Sequence, residues 1–100
     1  MVAVHIERGG RGLIALLTRA VALDAQAAAR VQEVGEGQLD VFVTTPFDAI
    51  ASRRTFGSTT HPSAVVSAKA LLDALREGRD EVGPARDAAW PGALPPASGF

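Results

Sequence analysis

The sequence predicts an α+β domain of two layers, a three-stranded antiparallel meander packed against two helices in the order α-β-β-β-α. Three observations carry that prediction. Apolar residues recur every three or four positions between Arg11 and Asp24 and again before Gly78. Between those stretches, strand-like runs from Arg30 to Phe56 are broken by turn residues. From Arg79 onward the periodicity stops.

The first ten residues hold Val2, Val4 and Ile6 in alternation with Ala3, His5 and Glu7, followed by Gly9 and Gly10. That pattern suits a short strand. A loose leader is preferred, because chain ends fray unless something ties them down.

Arg11 to about Asp24 reads as a helix burying Leu13, Leu16, Leu17, Ala20 and Leu23, with Ile14 and Val21 widening the apolar face. The alanines between Asp24 and Ala29 fit either more helix or the start of a strand.

Val31 to Val34 is the first strand of the meander, and Gly35-Glu36-Gly37-Gln38 is its hairpin loop. Leu39 to Thr45 is the clearest strand, with Leu39, Val41 and Val43 on one face and Asp40, Phe42 and Thr44 on the other. Pro46 belongs in a turn or on an edge. Phe47 to Thr55 forms the third strand, and Gly57 to His61 a loop.

Pro62 suits the first turn of a helix, with His61 or Ser63 as its cap. That helix runs to about Glu77 and buries Val65, Ala68, Leu71, Leu72 and Leu75 before Gly78 ends it. The reading therefore places one domain over residues 1–78, with 1–10 as leader or short strand, and a Pro/Gly-rich tail or linker over 79–100.

Composition narrows the function classes. The chain has 100 residues, enough for one modest core. Its formal charge is −1, and residues 1–78 carry eight Lys and Arg against eight Asp and Glu. A neutral domain lacks the clustered positive charge that draws proteins to nucleic acid or anionic membrane without specificity. There is no cysteine, which excludes disulfides and thiolate metal sites and fits a cytoplasmic protein. The apolar stretch from Gly12 to Leu23 contains Thr18 and Arg19 and is too short to span a bilayer, and no secretory signal is expected.

No catalytic, cofactor or metal site is expected. His5 and His61 are the only histidines and lie far apart in sequence. Ser58, Thr59, Thr60 and Ser63 around His61 permit a hydrolase-like arrangement, but these residues are also what a helix start needs for capping. Asp40 and Asp48 can face each other across adjacent strands, and they read better as solvent-side residues of an amphipathic sheet. No glycine segment has phosphate-loop spacing.

Adjacent strand residues point to opposite faces, so Arg53-Arg54 cannot make one flat basic patch. Trp90 is the sole tryptophan, and its amphipathic ring suits an interface.

The loop Gly57-Ser58-Thr59-Thr60 leading to Ser67-Ala68-Lys69-Ala70-Leu71-Leu72-Asp73-Ala74-Leu75 resembles the last loop and final helix of double-stranded RNA-binding domains. The resemblance is one of element order. The phosphate-holding lysines of that family are replaced by His61, Pro62 and Ser63, and no functional residue carries over.

A second resemblance rests on Arg19-Ala20-Val21-Ala22-Leu23-Asp24, Val41-Phe42-Val43-Thr44-Thr45-Pro46-Phe47 and Trp90-Pro91-Gly92-Ala93-Leu94-Pro95-Pro96. These segments resemble the N-terminal part of an uncharacterised actinobacterial family. The resemblance implies no known activity, and it suggests a natural chain continuing past Phe100.

The functional expectation is a non-catalytic protein-interaction or self-association module. Phe42 and Ile50 on the open sheet face, with Trp90, are its expected contact residues. The runner-up is RNA binding through Arg53, Arg54 and Lys69. A hydrolase-like activity around His61 comes third.

Overall fold

The computed structural model describes residues 1–45 and 50–86. Two helices cover one face of a six-stranded antiparallel sheet. In chain order the elements are β1 (Val2–Arg8), α1 (Gly10–Leu23), β2 (Ala28–Gly35), β3 (Gln38–Thr44), β4 (Ile50–Thr59), β5 (Ser63–Ser67), α2 (Ala68–Glu77) and β6 (Glu81–Gly83). The strands lie in the order β5-β2-β3-β4-β1-β6. The α-β-β-β succession is present, but strands precede, interrupt and follow it, so α-β-β-β-α describes the chain only in part.

The leader is a strand. β1 pairs with β4 on one side and β6 on the other, and Val2 and Val4 are buried. Two ladders and a buried face supply the ties that free chain ends lack.

Gly9, at φ 88°, turns the chain into α1, whose Leu13, Leu17 and Ala20 are buried. Asp24 ends that helix by donating its N–H to Ala20 O, and its carboxylate accepts from Gln26 N–H at 2.9 Å. This side-chain turn redirects the alanines that follow into β2 rather than more helix.

The β2–β3 hairpin turns through Glu36-Gly37, with Gly37 at φ 69°. Its register places Ala29 opposite Val43 and Val31 opposite Val41. These four residues share the helix-side face, where they form the main core with Leu39, Leu13, Leu17, Leu71 and Leu72.

β4 continues through Gly57 and Ser58, the segment expected to be a loop. Glycine is required there. A Cβ on Gly57 would collide with His5 O and lie 2.9 Å from the His5 carbonyl carbon. The close approach coincides with a bulge in β1, between Ile6 opposite Gly57 and Arg8 opposite Phe56. Beside it, Thr55 is fully buried on the helix-side face and spends its hydroxyl on Leu39 O at 3.2 Å.

The helix expected from Pro62 starts six residues later. Ser63–Ser67 is an edge strand on β2, with Ala64 and Val66 in the core and Val65 on the opposite face. Neither His61 nor Ser63 is the cap. Ser67 takes that role, accepting from Ala70 N–H at 3.3 Å. The β-branched pair Val65-Val66 completes a ladder on β2 that a helix would forgo. Gly78 closes α2 at φ 70°, as the sequence predicts.

The stretch read as a tail opens with β6, which buries Val82 against the core. α2 thus links one edge strand of the sheet to the other. Beyond β6, Arg86 N–H donates to Val65 O on β5. The sheet is therefore curled far enough for the chain leaving one edge to bond the other, an almost barrel-like closure.

Candidate interaction face

The face away from the helices is built by register. Side chains alternate along each strand, and the pairings align them in rows across the sheet. One row runs Ser52, Phe42, Arg30, Val65 from β4 to β5, and the next runs Arg54, Asp40, Gln32, Ser63. A third row holds Thr44 and Ala28, joined when Ala28 N–H donates to Thr44 Oγ1 at 3.0 Å.

The middle of this face is closed to solvent. Ala28, Phe42 and Val65 form a second buried apolar cluster. Arg30 is 9% and Gln32 8% exposed. Among the described residues, Arg30 Nε and Gln32 Oε1 are buried and have no hydrogen-bond partner. One is an unspent donor and the other an unspent acceptor, on adjacent rows of the same strand. Leaving such groups unpaired costs about 1–3 kcal/mol each. The face thus buries an apolar cluster together with one unspent donor and one unspent acceptor.

Its borders are polar. Arg54 grips Asp40 with two bonds, Nε to Oδ1 at 2.7 Å and Nη2 to Oδ2 at 2.9 Å. That side-chain hydrogen bond, and then the carboxylate's charge, raise the Arg54 pKa above its usual value. Where β2 begins, a cleft of about 420 Å³ is lined by residues 25–28, Val66, Ser67 and Arg86.

The expected contact residues fall differently on this frame. Phe42 is on the predicted face but only 5% exposed, so it adds almost nothing to open apolar surface. Ile50 is 44% exposed at the start of β4. Trp90 and Asp48 lie outside the described residues.

The three basic candidates do not share a surface. Arg53 is on the helix side, where a Cβ on Gly12 would collide with its guanidinium. Arg54 is on the opposite face with Asp40. Lys69 is exposed on α2, directly after β5, and β2 and β3 separate β5 from β4.

His61 lies in the β4–β5 turn, with its Nδ1 2.8 Å from the hydroxyl of the adjacent Thr60. His5 Nδ1 lies 3.1 Å from Asp80 Oδ1, in a shallow pocket of about 210 Å³ shared with Ser58, Thr59 and Thr60. Both partners of the His5–Asp80 pair are more than half exposed. Arg8 stacks its guanidinium 4.6 Å from the centroid of Phe56. Among the described residues there is no group of three or more His, Cys, Asp and Glu side chains able to hold a metal, and no helix long and apolar enough to cross a membrane.

Arg30 and Gln32 escaped sequence reasoning. The signal was present, since Arg30 sits between Ala29 and Val31 in a strand where alternation assigns it to the second face. Its burial follows from having β3 and β5 on either side.

The fold and the face define a small α+β domain with a curled antiparallel sheet and one helix-free side. The chain belongs to the family described as Domain of unknown function (DUF8010), whose profile matches residues 4–92. The match begins in β1 and runs past β6 and Arg86. No curated protein and no solved structure matches the chain.

Proposed function

We propose that this domain is a non-catalytic interaction module that holds an extended peptide segment on the helix-free face of β5, β2 and β3. The observation that carries the reading is the pair of buried, unspent groups on β2, Arg30 Nε and Gln32 Oε1, beside the apolar floor of Phe42, Val65 and Ala28. A polypeptide backbone offers a carbonyl and an N–H along its length, which is the complement of one donor and one acceptor. Because Phe42, Val65 and Ala28 are already buried, what such a segment adds is polar pairing at Arg30 and Gln32 rather than new apolar area. Self-association through such a segment belongs to the same reading.

A random-peptide display library panned against the full chain tests it, with Arg30→Met/Gln32→Leu as the counter-target. Peptides that bind the native chain and lose binding to the double variant are expected. Peptides that bind both equally, or no enrichment at all, refute the reading.

A further inference from the structure

We infer that Ser58, His5 and Asp80 form a row of nucleophile, base and carboxylate that accepts acyl groups from activated esters. The row is separate from the peptide seat. The seat lies on β5, β2 and β3, whereas the row crosses β4, β1 and the turn into β6. The seat itself does no chemistry, and the row adds an activity beside it.

Register builds the row. His5 lies opposite Ser58, and Val4, next to His5, is in the helix-side core, so His5 and Ser58 share the other face. Thr60 N–H donates to Ala3 O, which makes every second pair from there, His5 with Ser58 included, a hydrogen-bonded one. The Cα atoms of such a pair lie ~5.5 Å apart, close enough for the serine hydroxyl to reach the imidazole. On the other flank of β1, Val4 N–H donates to Asp80 O at 2.8 Å, which holds Asp80 beside His5. Its Oδ1 is 3.1 Å from His5 Nδ1.

The bonding pattern assigns the roles. An ionised carboxylate only accepts, so His5 Nδ1–H donates to Asp80 and Nε2 is left as the acceptor. Thr59 and Thr60 line the same shallow pocket of about 210 Å³. Their hydroxyl oxygens are engaged, accepting from His61 N–H at 3.3 Å and from Ala3 N–H at 3.0 Å. Ser58 carries the hydroxyl that stands opposite the imidazole. Carboxylate to Nδ1, and Nε2 to a serine hydroxyl, is the order of hydrolytic triads.

In the reaction, Ser58 Oγ bonds to the ester carbonyl carbon while His5 Nε2 takes the hydroxyl proton. The ester C–O bond then breaks, and His5 returns the proton to the departing oxygen. Water, giving its proton to the same nitrogen, hydrolyses acyl-Ser58 to the carboxylic acid and frees the serine. With the threonine hydroxyls engaged, the substrate must carry its own good leaving group, as an aryl ester of a short acid does.

A fluorophosphonate probe, whose phosphorus takes the serine oxygen as fluoride leaves, should label the native full chain at Ser58, located by peptide mapping. The urea-unfolded chain should not be labelled there. His5→Gln should slow Ser58 labelling about 100-fold, the low end for a general base, because His5 and Asp80 are both more than half exposed. Asp80 is a positioning residue, so Asp80→Asn should slow labelling and Asp80→Glu should restore it, each in a chain with native far-UV circular dichroism. Ser58→Ala should hydrolyse p-nitrophenyl acetate no faster than the unfolded chain.

No labelling at Ser58, or labelling that His5→Gln leaves unchanged, overturns the inference. Ester hydrolysis that persists in Ser58→Ala also overturns it, since His5 then reacts directly. An Asp80→Asn chain that melts lower but labels at the native rate overturns the row as well, because the His5–Asp80 contact is then only a staple between β1 and the turn into β6.

Discussion

Gly57→Ala should be among the most damaging single-methyl changes in this domain. The added Cβ would overlap His5 O and sit 2.9 Å from the His5 carbonyl carbon and 3.0 Å from Ile6 Cα. All three are backbone atoms, so no side chain can rotate away, and β1 must move off β4. Overpacking of this kind costs about 1–3 kcal/mol. Breaking one ladder hydrogen bond at the bulge adds about 1 kcal/mol. The sum, about 2–4 kcal/mol, is a large share of the stability of roughly 5–15 kcal/mol usual for a domain this size. At about 4–8 °C per kcal/mol, Tm should fall by roughly 10–25 °C. Differential scanning calorimetry on Gly57→Ala and on Ser58→Ala, its exposed neighbour, provides the comparison. The Ser58 variant should melt close to wild type, since exposed substitutions stay within about 0.5 kcal/mol. If both variants melt within a few degrees of wild type, the contact of β1 with β4 is not the rigid one described.

Three further changes separate the elements. Ser67→Ala removes the cap that accepts from Ala70 N–H, and the urea midpoint should fall by the equivalent of about 0.5–2 kcal/mol with an unchanged m-value. Phe42→Ala empties a position 5% exposed, and calorimetry should show a loss of about 3–5 kcal/mol, whereas Ile50→Ala, at a position 44% exposed, should lose far less. Gly78→Ala puts a side chain on a residue at φ 70°, and its cost of about 1–2 kcal/mol should appear in the same urea titration.

Local periodicity was legible wherever a residue's partners are near in sequence. The spacing of Leu13, Leu17 and Ala20 marks α1, and the alternation of Leu39, Val41 and Val43 marks the central strand. β5 was hidden because Val65, Ala68, Leu71, Leu72 and Leu75 also keep a helical period, and five residues are too few for alternation to compete with it. What decides for a strand is the vacant edge of β2, more than thirty residues upstream, and that is a tertiary fact. Gly57 misled for a related reason. Glycine marks loops, yet here it permits two backbones to approach, and nothing local separates the two uses. The same limit hid the candidate site. Arg30 and Gln32 alternate legibly onto the second face, but only the β5-β2-β3 pairing turns that face into a closed floor.

On the proposed reading, the edges of the sheet make a face, rather than a strand edge, the place for a partner. An open six-stranded sheet has two edges, and exposed edges recruit strands from other chains. Here β6 offers only three residues, and β5 only five. On β5, the carbonyl of Val65 is already taken by Arg86 N–H. Short, partly bonded edges hold an added strand poorly, because main-chain hydrogen bonds give strand addition its affinity. The face has the opposite character. Its apolar floor is held in register by three strands, and its unspent polar groups are fixed by burial rather than left to solvent. A segment that settles there recovers the cost of both groups at once, and the contact can therefore be selective without a long ladder.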